Sequence, residues 1–440
     1  MNTPEPMTAA QRAQVIRDGL PPGGLFADQH WRISPAPLAL GEAVVGDLES
    51  LGRVLLQFYR ALNLLYRQSL TGQQPPWVAE LLDRGKPSSL IALQRDPAFK
   101  NEIPRIIRPD CLLTDDAFAI SELDSVPGGI GLTAWLNLIY SGLGENIVGG
   151  KRGMIDGFAS IFGAAPAIHA IISAESAAYR PEMEWLAHQM GGRLQVRDSS
   201  ALGVPAGEAV YRFFELFDLE NVPAAAGLFE AARQKQIRLT PAPKPIFEEK
   251  LAFALLWNRN LRAFWRRELG ESFLNRLLKL VPYTWVVDLA PLPPHGAIPE
   301  LNLTDWNQLK SFSQRERNLI LKVSGYSEEA WGARGVYYGS DLSTADWSVA
   351  VDKAMTAFER SPFVLQRYHK PRLVKSSYFD FDKNGLVDMP GRVRLCPYYF
   401  VEGDGDAART NLGGILATVC PADKKIIHGM KDAVLVPCVA

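Results

Sequence analysis

Two kinds of hydrophobic spacing alternate along this chain, and each predicts a different element. Over residues 40–71, Val44, Leu48, Leu51, Val54, Leu55, Phe58, Leu62 and Leu65 recur every three or four positions, which predicts a long amphipathic helix. A second helix is predicted over 76–84. Residues 1–30 carry Pro, Gly and polar residues without sustained periodicity, so a loose surface arm with one short helix is expected there. At 105–129 the spacing changes to that of strands. A hairpin is predicted, with strand 106–113, a turn at Thr114, Asp115 and Asp116, and a return strand over 117–123. Simple alternation places Phe118, Ile120, Glu122 and Asp124 on one face.

Beyond the hairpin, residues 125–129 (SVPGG) form a turn-rich loop feeding a helix over 132–141. Its glycines either let backbone approach a ligand or serve the turn alone. The apolar run 167–173 (AIHAIIS) predicts a buried parallel strand. Helix 179–190, strand 193–196, strand 210–214 and helix 224–234 follow. This alternation implies an α/β layer with a doubly wound sheet. It has no GxGxxG turn and is therefore not read as a dinucleotide site. PAPKP at 241–245 is a stiff connector and a candidate boundary.

A helix over 247–267 follows, rich in Leu, Phe and Trp, with Lys250 in its first turn. After a Pro-rich loop at 289–299, strand 319–323 carries Lys322 near its end. A loop with Gly325, Gly332, Arg334 and Gly335 leads to strand 336–338. Helix 344–360, strand 363–368, antiparallel strands 372–381 and 393–401, and closing strands at 415–419 and 433–436 complete the chain.

Composition narrows the classes. At 440 residues, two or three domains are expected. Hydrophobic residues are 47% and charged residues 22%, which is ordinary globular usage. With 47 basic against 48 acidic residues the net charge is −1, so neither a nucleic-acid nor a membrane-surface partner is indicated. Cys111, Cys396, Cys420 and Cys438 form no CxxC pair, which removes zinc-knuckle and redox motifs. Few cysteines and no secretory leader point to the cytoplasm. The most apolar segment, 157–174, is interrupted by Pro166 and His169 and is read as core rather than a membrane span. His169 and His188 are read as packed or surface residues.

Candidate chemistry sits in two stretches. On the hairpin, Asp110, Glu122 and Asp124 are expected to converge, with Arg108 two residues before the first. Converging carboxylates repel unless a positive charge lies among them, and Mg²⁺ is the oxygen-loving candidate. The plain reading is an edge hairpin with solvated acids. In the second stretch, a strand-end lysine before a Gly-rich returning loop makes a phosphate grip from an ammonium and backbone N–H groups. It is not a Walker loop, and alone it is a weak signal. DFDKNG at 380–385 begins like a calcium loop but lacks the downstream Glu, so a hairpin turn is expected.

In order, these parts resemble the circularly permuted ATP-grasp proteins, the group containing the synthetase domain of glutathionylspermidine synthetase. That family's metal pattern is R-x-D and then, after a hairpin, E-x-N. Arg108-Pro109-Asp110 and Glu122-Leu123-Asp124 stand in those places, with Asp124 where the family usually has Asn. FEEKLAFALLW resembles the family's lysine before an apolar helix, LKVSGYSEEAWGARGV its second lysine and lid, and FVLQRY its adenine-binding strand. The resemblance implies an α/β (α+β) ATP-grasp fold. Its parts would be an N-terminal helical block (1–104), the metal-bearing hairpin part (105–160), an α/β pre-ATP-grasp layer (161–245) and the nucleotide-binding part (246–440).

The resemblance further implies an ATP- and Mg²⁺-dependent ligase joining a carboxylate to an amine or thiol through an acyl-phosphate. Asp110, Glu122 and Asp124 would hold the metal. Lys250, Lys322, Gly332, Arg334, Gly335 and Gln366 would bind ATP, and Arg108 would stabilise the transferring phosphoryl group. The alternative is a catalytically silent relative that binds nucleotide or acts as a scaffold. Substrates and oligomeric state are left open.

Overall fold

The computed structural model describes residues 6–28, 30–201, 203–290, 292–293, 296–330, 332, 334–424 and 431–440. Residues 1–5 and 29 of the expected arm, three positions of the Pro-rich loop (291, 294 and 295), and 331 and 333 of the Gly-rich loop lie outside them. The chain divides into two compact units. The first comprises 1–56, 104–242 and 370–440, the second 57–103 and 243–369. The expected N-terminal helical block is thus shared, because the helix Glu42–Leu70 crosses the division. The third crossing, between 242 and 243, falls inside the PAPKP connector.

The first unit is built on a seven-stranded sheet. Its order is Leu38–Ala39, Val434–Val439, Arg409–Pro421, Gly391–Glu402, Ile106–Leu113 and Phe118–Asp124, with Leu373–Val374 paired off this path to Gly391–Glu402. The strand Gly391–Glu402 sits at its centre and alternates between two covered faces. Tyr399 points to the start of the long helix, where its hydroxyl donates to the Leu48 carbonyl at 2.5 Å. Phe400 points the other way, against Gly157 of the helix Gly153–Ser160, where a Cβ would lie 2.2 Å from its ring. Burial on both faces explains the strand's near-continuous apolar run.

Beside this sheet, the same unit holds four parallel strands in the order Leu194–Asp198, Ile168–Ile172, Ala209–Phe213 and Arg238–Thr240. Every residue of the two middle strands is buried, His169 and Arg212 included, as mostly apolar strands covered on both faces require. The expected loose arm is corrected. Helix Ala9–Asp18 is closed by a Thr8 capping box, Ala13, Ile16, Leu25 and Phe26 are buried, and the Trp135 indole donates to the Gly19 carbonyl at 3.1 Å. Its apolar residues are too few to show a period but enough to anchor it.

The second unit carries an antiparallel sheet ordered Val336–Tyr338, Leu319–Val323, Phe363–Arg367 and Thr284–Val287. On one face Trp285, Leu321, Val323, Phe363 and Leu365 pack with Trp347 and Val351 of the helix Thr344–Ala357. The register places Thr284, Lys322, Val364 and Gln366 on the opposite face. The single helix expected over 247–267 is broken. Helix Leu251–Trp257 ends where Asn258 turns extended (ψ 122°), its side chain accepting from the Asn260 amide, and Arg262–Leu280 follows. Lys250 therefore stands at the N-cap, just before the helix.

The expected strand 372–381 is two short strands. The second, Ser377–Asp380, pairs with Gly385–Asp388 across the DFDKNG turn, and Asp380 accepts the amides of Asp382 and Lys383. Among the described residues, no helix is long and apolar enough to cross a membrane.

Candidate functional site

In the first unit the hairpin is Ile106–Leu113 paired with Phe118–Asp124, with Arg108 opposite Asp124 and Asp110 opposite Glu122. Its face assignment corrects the simple alternation. The register shifts between Asp110 and Cys111, leaving Ser121 as an extra residue between Ile120 and Glu122. This β-bulge sends Glu122 and Asp124 to the face opposite Phe118 and Ile120, which are buried. Without it the acids would point away from Arg108 and Asp110. The Ser121 hydroxyl closes the bulge by donating to the Asp110 carbonyl at 3.1 Å.

The neighbouring strand Gly391–Glu402 continues the same face. Arg394 lies opposite Leu112, so Arg394, Cys396 and Tyr398 join Arg108 and Asp110. Arg108 Nη2 is 3.2 Å from Asp110 Oδ1 and 2.9 Å from Asp124 Oδ2. Arg394 Nη1 is 3.1 Å from Asp110 Oδ2. The Val126 amide donates to Asp124 Oδ1 at 2.8 Å. Tyr398 Oη and Arg108 Nη1 both donate to the Gly128 carbonyl, at 2.7 and 3.2 Å. Burial pushes the Asp124 carboxyl up, against the pull of Arg108. Burial, then Asp110, pushes the Cys396 thiol up to about 12, so it stays protonated at neutral pH.

Asp110, Glu122 and Asp124 are oxygen donors suited to a hard cation, and they share one face. Among the described residues, however, no group of three or more His, Cys, Asp or Glu is gathered to hold an ion. The guanidinium of Arg108 lies between the two aspartates, and Arg394 takes the other oxygen of Asp110. As arranged, the two aspartates are committed to arginine, and the cluster does not fit a divalent cation.

Behind the cluster, Gly128-Gly129 opens the helix Ile130–Gly142. Gly129 takes φ +85°, which favours glycine, and a Cβ on Gly128 would collide with the Tyr179 ring at 2.1 Å. These glycines answer to packing within the protein. The fully buried Glu182 accepts the Gly129 and Leu132 amides at 2.7 and 2.9 Å, closing the helix start. Burial pushes its carboxyl from 4.5 up to about 7, with those amides pulling the other way. The folded protein thus binds this proton more tightly than the unfolded chain. Stability is expected to fall as pH rises from about 4.5 to about 7 and to level above that, by at most roughly 3 kcal/mol from this group. Unfolding free energies of wild type and Glu182→Gln between pH 4 and 8 check this. A slope equal in both proteins contradicts it.

In the second unit, Lys322 and Gln366 are brought together. Lys322 Nζ donates to Gln366 Oε1 at 2.9 Å, and Gln366 Nε2 donates to Thr284 Oγ1 at 3.1 Å. All three residues are buried. The Thr284 hydroxyl donates onward to the Pro282 carbonyl at 2.8 Å, and Thr284 lies on the wall of a cavity of about 990 Å³, also lined by Trp257, Tyr283, Asp288 and Phe358. Lys250 Nζ donates to the Ala330 carbonyl at 2.9 Å. Gly335 is buried in the returning loop, its amide donating to the Glu329 carbonyl at 2.7 Å, and a Cβ there would meet that oxygen. Gly332, at φ +63°, and Arg334 are exposed on the loop.

Sequence reasoning missed Arg394, Glu182 and Thr284. The strand expected over 393–401 is part of the longer central strand Gly391–Glu402. The signal for Arg394 was present: charged Arg392 and Arg394 alternate with apolar residues in a strand otherwise made for burial.

No family model matches the chain, and no curated protein matches it. Among solved structures it is similar to a glutathione synthetase-like effector from Globodera pallida in its apo form. The TM-score is 0.54 at 10% identity, covering 100% of this chain and 99% of that one. It is also similar to a protein from Methylobacillus flagellatus KT assigned provisionally as a gamma-glutamylcysteine synthetase. That likeness, with TM-score 0.39, 12% identity and 90% and 89% coverage, is too slight to argue from. Over its whole length the chain thus shares the fold of that effector, a mixed α/β architecture.

Proposed function

We propose that the protein is an ATP-dependent ligase with a circularly permuted ATP-grasp arrangement, joining a carboxylate to an amine or thiol through an acyl-phosphate. The observation that carries this reading is the buried Lys322–Gln366 pair on the strand face opposite the core. A buried ammonium that donates to a neutral amide on this face suits a ligand that brings negative charge. In the second unit Lys322 and Lys250 would neutralise phosphate oxygens, Gln366 would orient Lys322, and the Gly332–Gly335 loop would cover the phosphates. In the first unit Arg108 would stabilise charge on the phosphoryl group being transferred. No step is assigned to Mg²⁺, because the aspartates expected to hold it are held by arginine.

That same arginine arrangement favours a second reading, a nucleotide-binding relative without ligase activity. Release of ADP and free phosphate separates the two. A screen of peptide carboxylates against amine and thiol acceptors, with ATP and Mg²⁺, should show ADP only when both partners are present. ATP binding without ADP release under any pair favours the silent relative. ADP formation with a phosphorylated product instead of free phosphate contradicts the ligase.

A further inference from the structure

We propose that Ser324 is a positioning residue for the two phosphate-binding lysines, fixing Lys250 against the strand that carries Lys322. The proposal rests on the nucleotide reading of those lysines and adds the device that sets their relation.

Ser324 follows the strand Leu319–Val323, and alternation puts its side chain on the same face as Lys322 two residues before. It is fully buried. Its amide donates to the Pro362 carbonyl at 2.9 Å, so the backbone at this point is still tied to the start of the neighbouring strand Phe363–Arg367. From there it engages three consecutive residues at the opening of the helix Leu251–Trp257. The hydroxyl donates to Glu249 Oε2 and accepts the Leu251 amide at 2.9 Å. The Ser324 carbonyl accepts from the Lys250 amide at 3.4 Å and from Lys250 Nζ at 3.5 Å.

Glu249 is fixed in turn. Its other oxygen, Oε1, is 2.5 Å from Lys86 Nζ, and both side chains are almost completely buried. The approach is closed further by Gly325, where a Cβ would stand 2.7 Å from the Glu248 carbonyl oxygen and the Glu249 carboxyl carbon. Apolar packing could join a strand end to a helix start at lower desolvation cost. A serine bonded in three directions instead sets the orientation of residues 249–251. Lys250 and Lys322 are 322 − 250 = 72 residues apart, yet this one residue ties them together.

The test uses the full chain as wild type, Ser324→Ala and Ser324→Thr. Without nucleotide, each is treated with an acetylating reagent, and modification rates at Lys250 and Lys322 are read by peptide mass spectrometry. ATP affinity is measured in parallel, and thermal melting verifies that each variant is folded. Ser324→Ala is expected to raise the Lys250 rate several-fold and weaken ATP by about tenfold, the effect of losing one well-placed hydrogen bond. Ser324→Thr, which keeps the hydroxyl, is expected to restore both. Lys250 labelling at the same rate in wild type and Ser324→Ala overturns the positioning role. Failure of the nucleotide reading looks different: wild type then shows no ATP affinity, while the labelling contrast between the variants stands.

Discussion

Glu249→Ala is expected to destabilise the second unit by about 3–5 kcal/mol, the usual loss when one partner of a buried ion pair is removed. The pair is Lys86 with Glu249 at 2.5 Å, side chains 1% and 2% exposed. Removing the carboxylate strands the Lys86 ammonium in a dry site and leaves the Ser324 hydroxyl without its acceptor. Most of the loss is the cost of the orphaned charge and not the net value of the pair. The double variant Lys86→Met/Glu249→Leu is therefore expected to recover most of it. A two-unit chain of this size need not unfold in one step, so the measurement should be local. Hydrogen exchange in peptides from 243–369, for the wild type and both variants, reads it directly. A loss below about 1 kcal/mol in Glu249→Ala, the range of exposed pairs, contradicts the buried-pair account.

Arg108→Leu is expected to cost about as much in the first unit, roughly 3–5 kcal/mol at pH 7. Arg108 is the shared partner of Asp110 and Asp124, and its side chain is 16% exposed. Its loss leaves Asp110 with Arg394 and Asp124 with the Val126 amide. Carboxylates deprived of a cation bind protons more tightly, so the variant should regain stability as pH falls and they are neutralised. The deficit against wild type is expected to be largest at pH 7 and markedly smaller near pH 4. Hydrogen exchange in peptides from 104–242, corrected for the intrinsic rate at each pH, measures it locally. A deficit that is the same at both would mean that Arg108 acts by packing alone.

These expectations fall on residues that were unevenly legible in the sequence. The helix Glu42–Leu70, the parallel strands and the lysine strand could be read because their apolar spacing is regular and long. The arginine, aspartate and glutamate of the hairpin could be named, but not their true relation. A one-residue bulge at Ser121 reverses the faces, and no residue preference announces it. The break at Asn258 was legible in principle, since asparagine favours helix ends, but the apolar residues on both sides masked it. Arg394 and Glu182 lie far along the chain from the hairpin. Only pairing of distant strands and the fold of the α/β layer bring them to it. Ser324 illustrates the same limit, since its significance lies in three bonds to residues more than seventy positions earlier.

The most direct test of the central claim is calorimetric titration of ATP into wild type and Lys322→Met, each with Mg²⁺ and with EDTA. Binding by wild type, weakened at least about tenfold by loss of the ammonium, is the predicted result. No heat in wild type under either condition, or equal affinity in the two proteins, would contradict a nucleotide site built on Lys322.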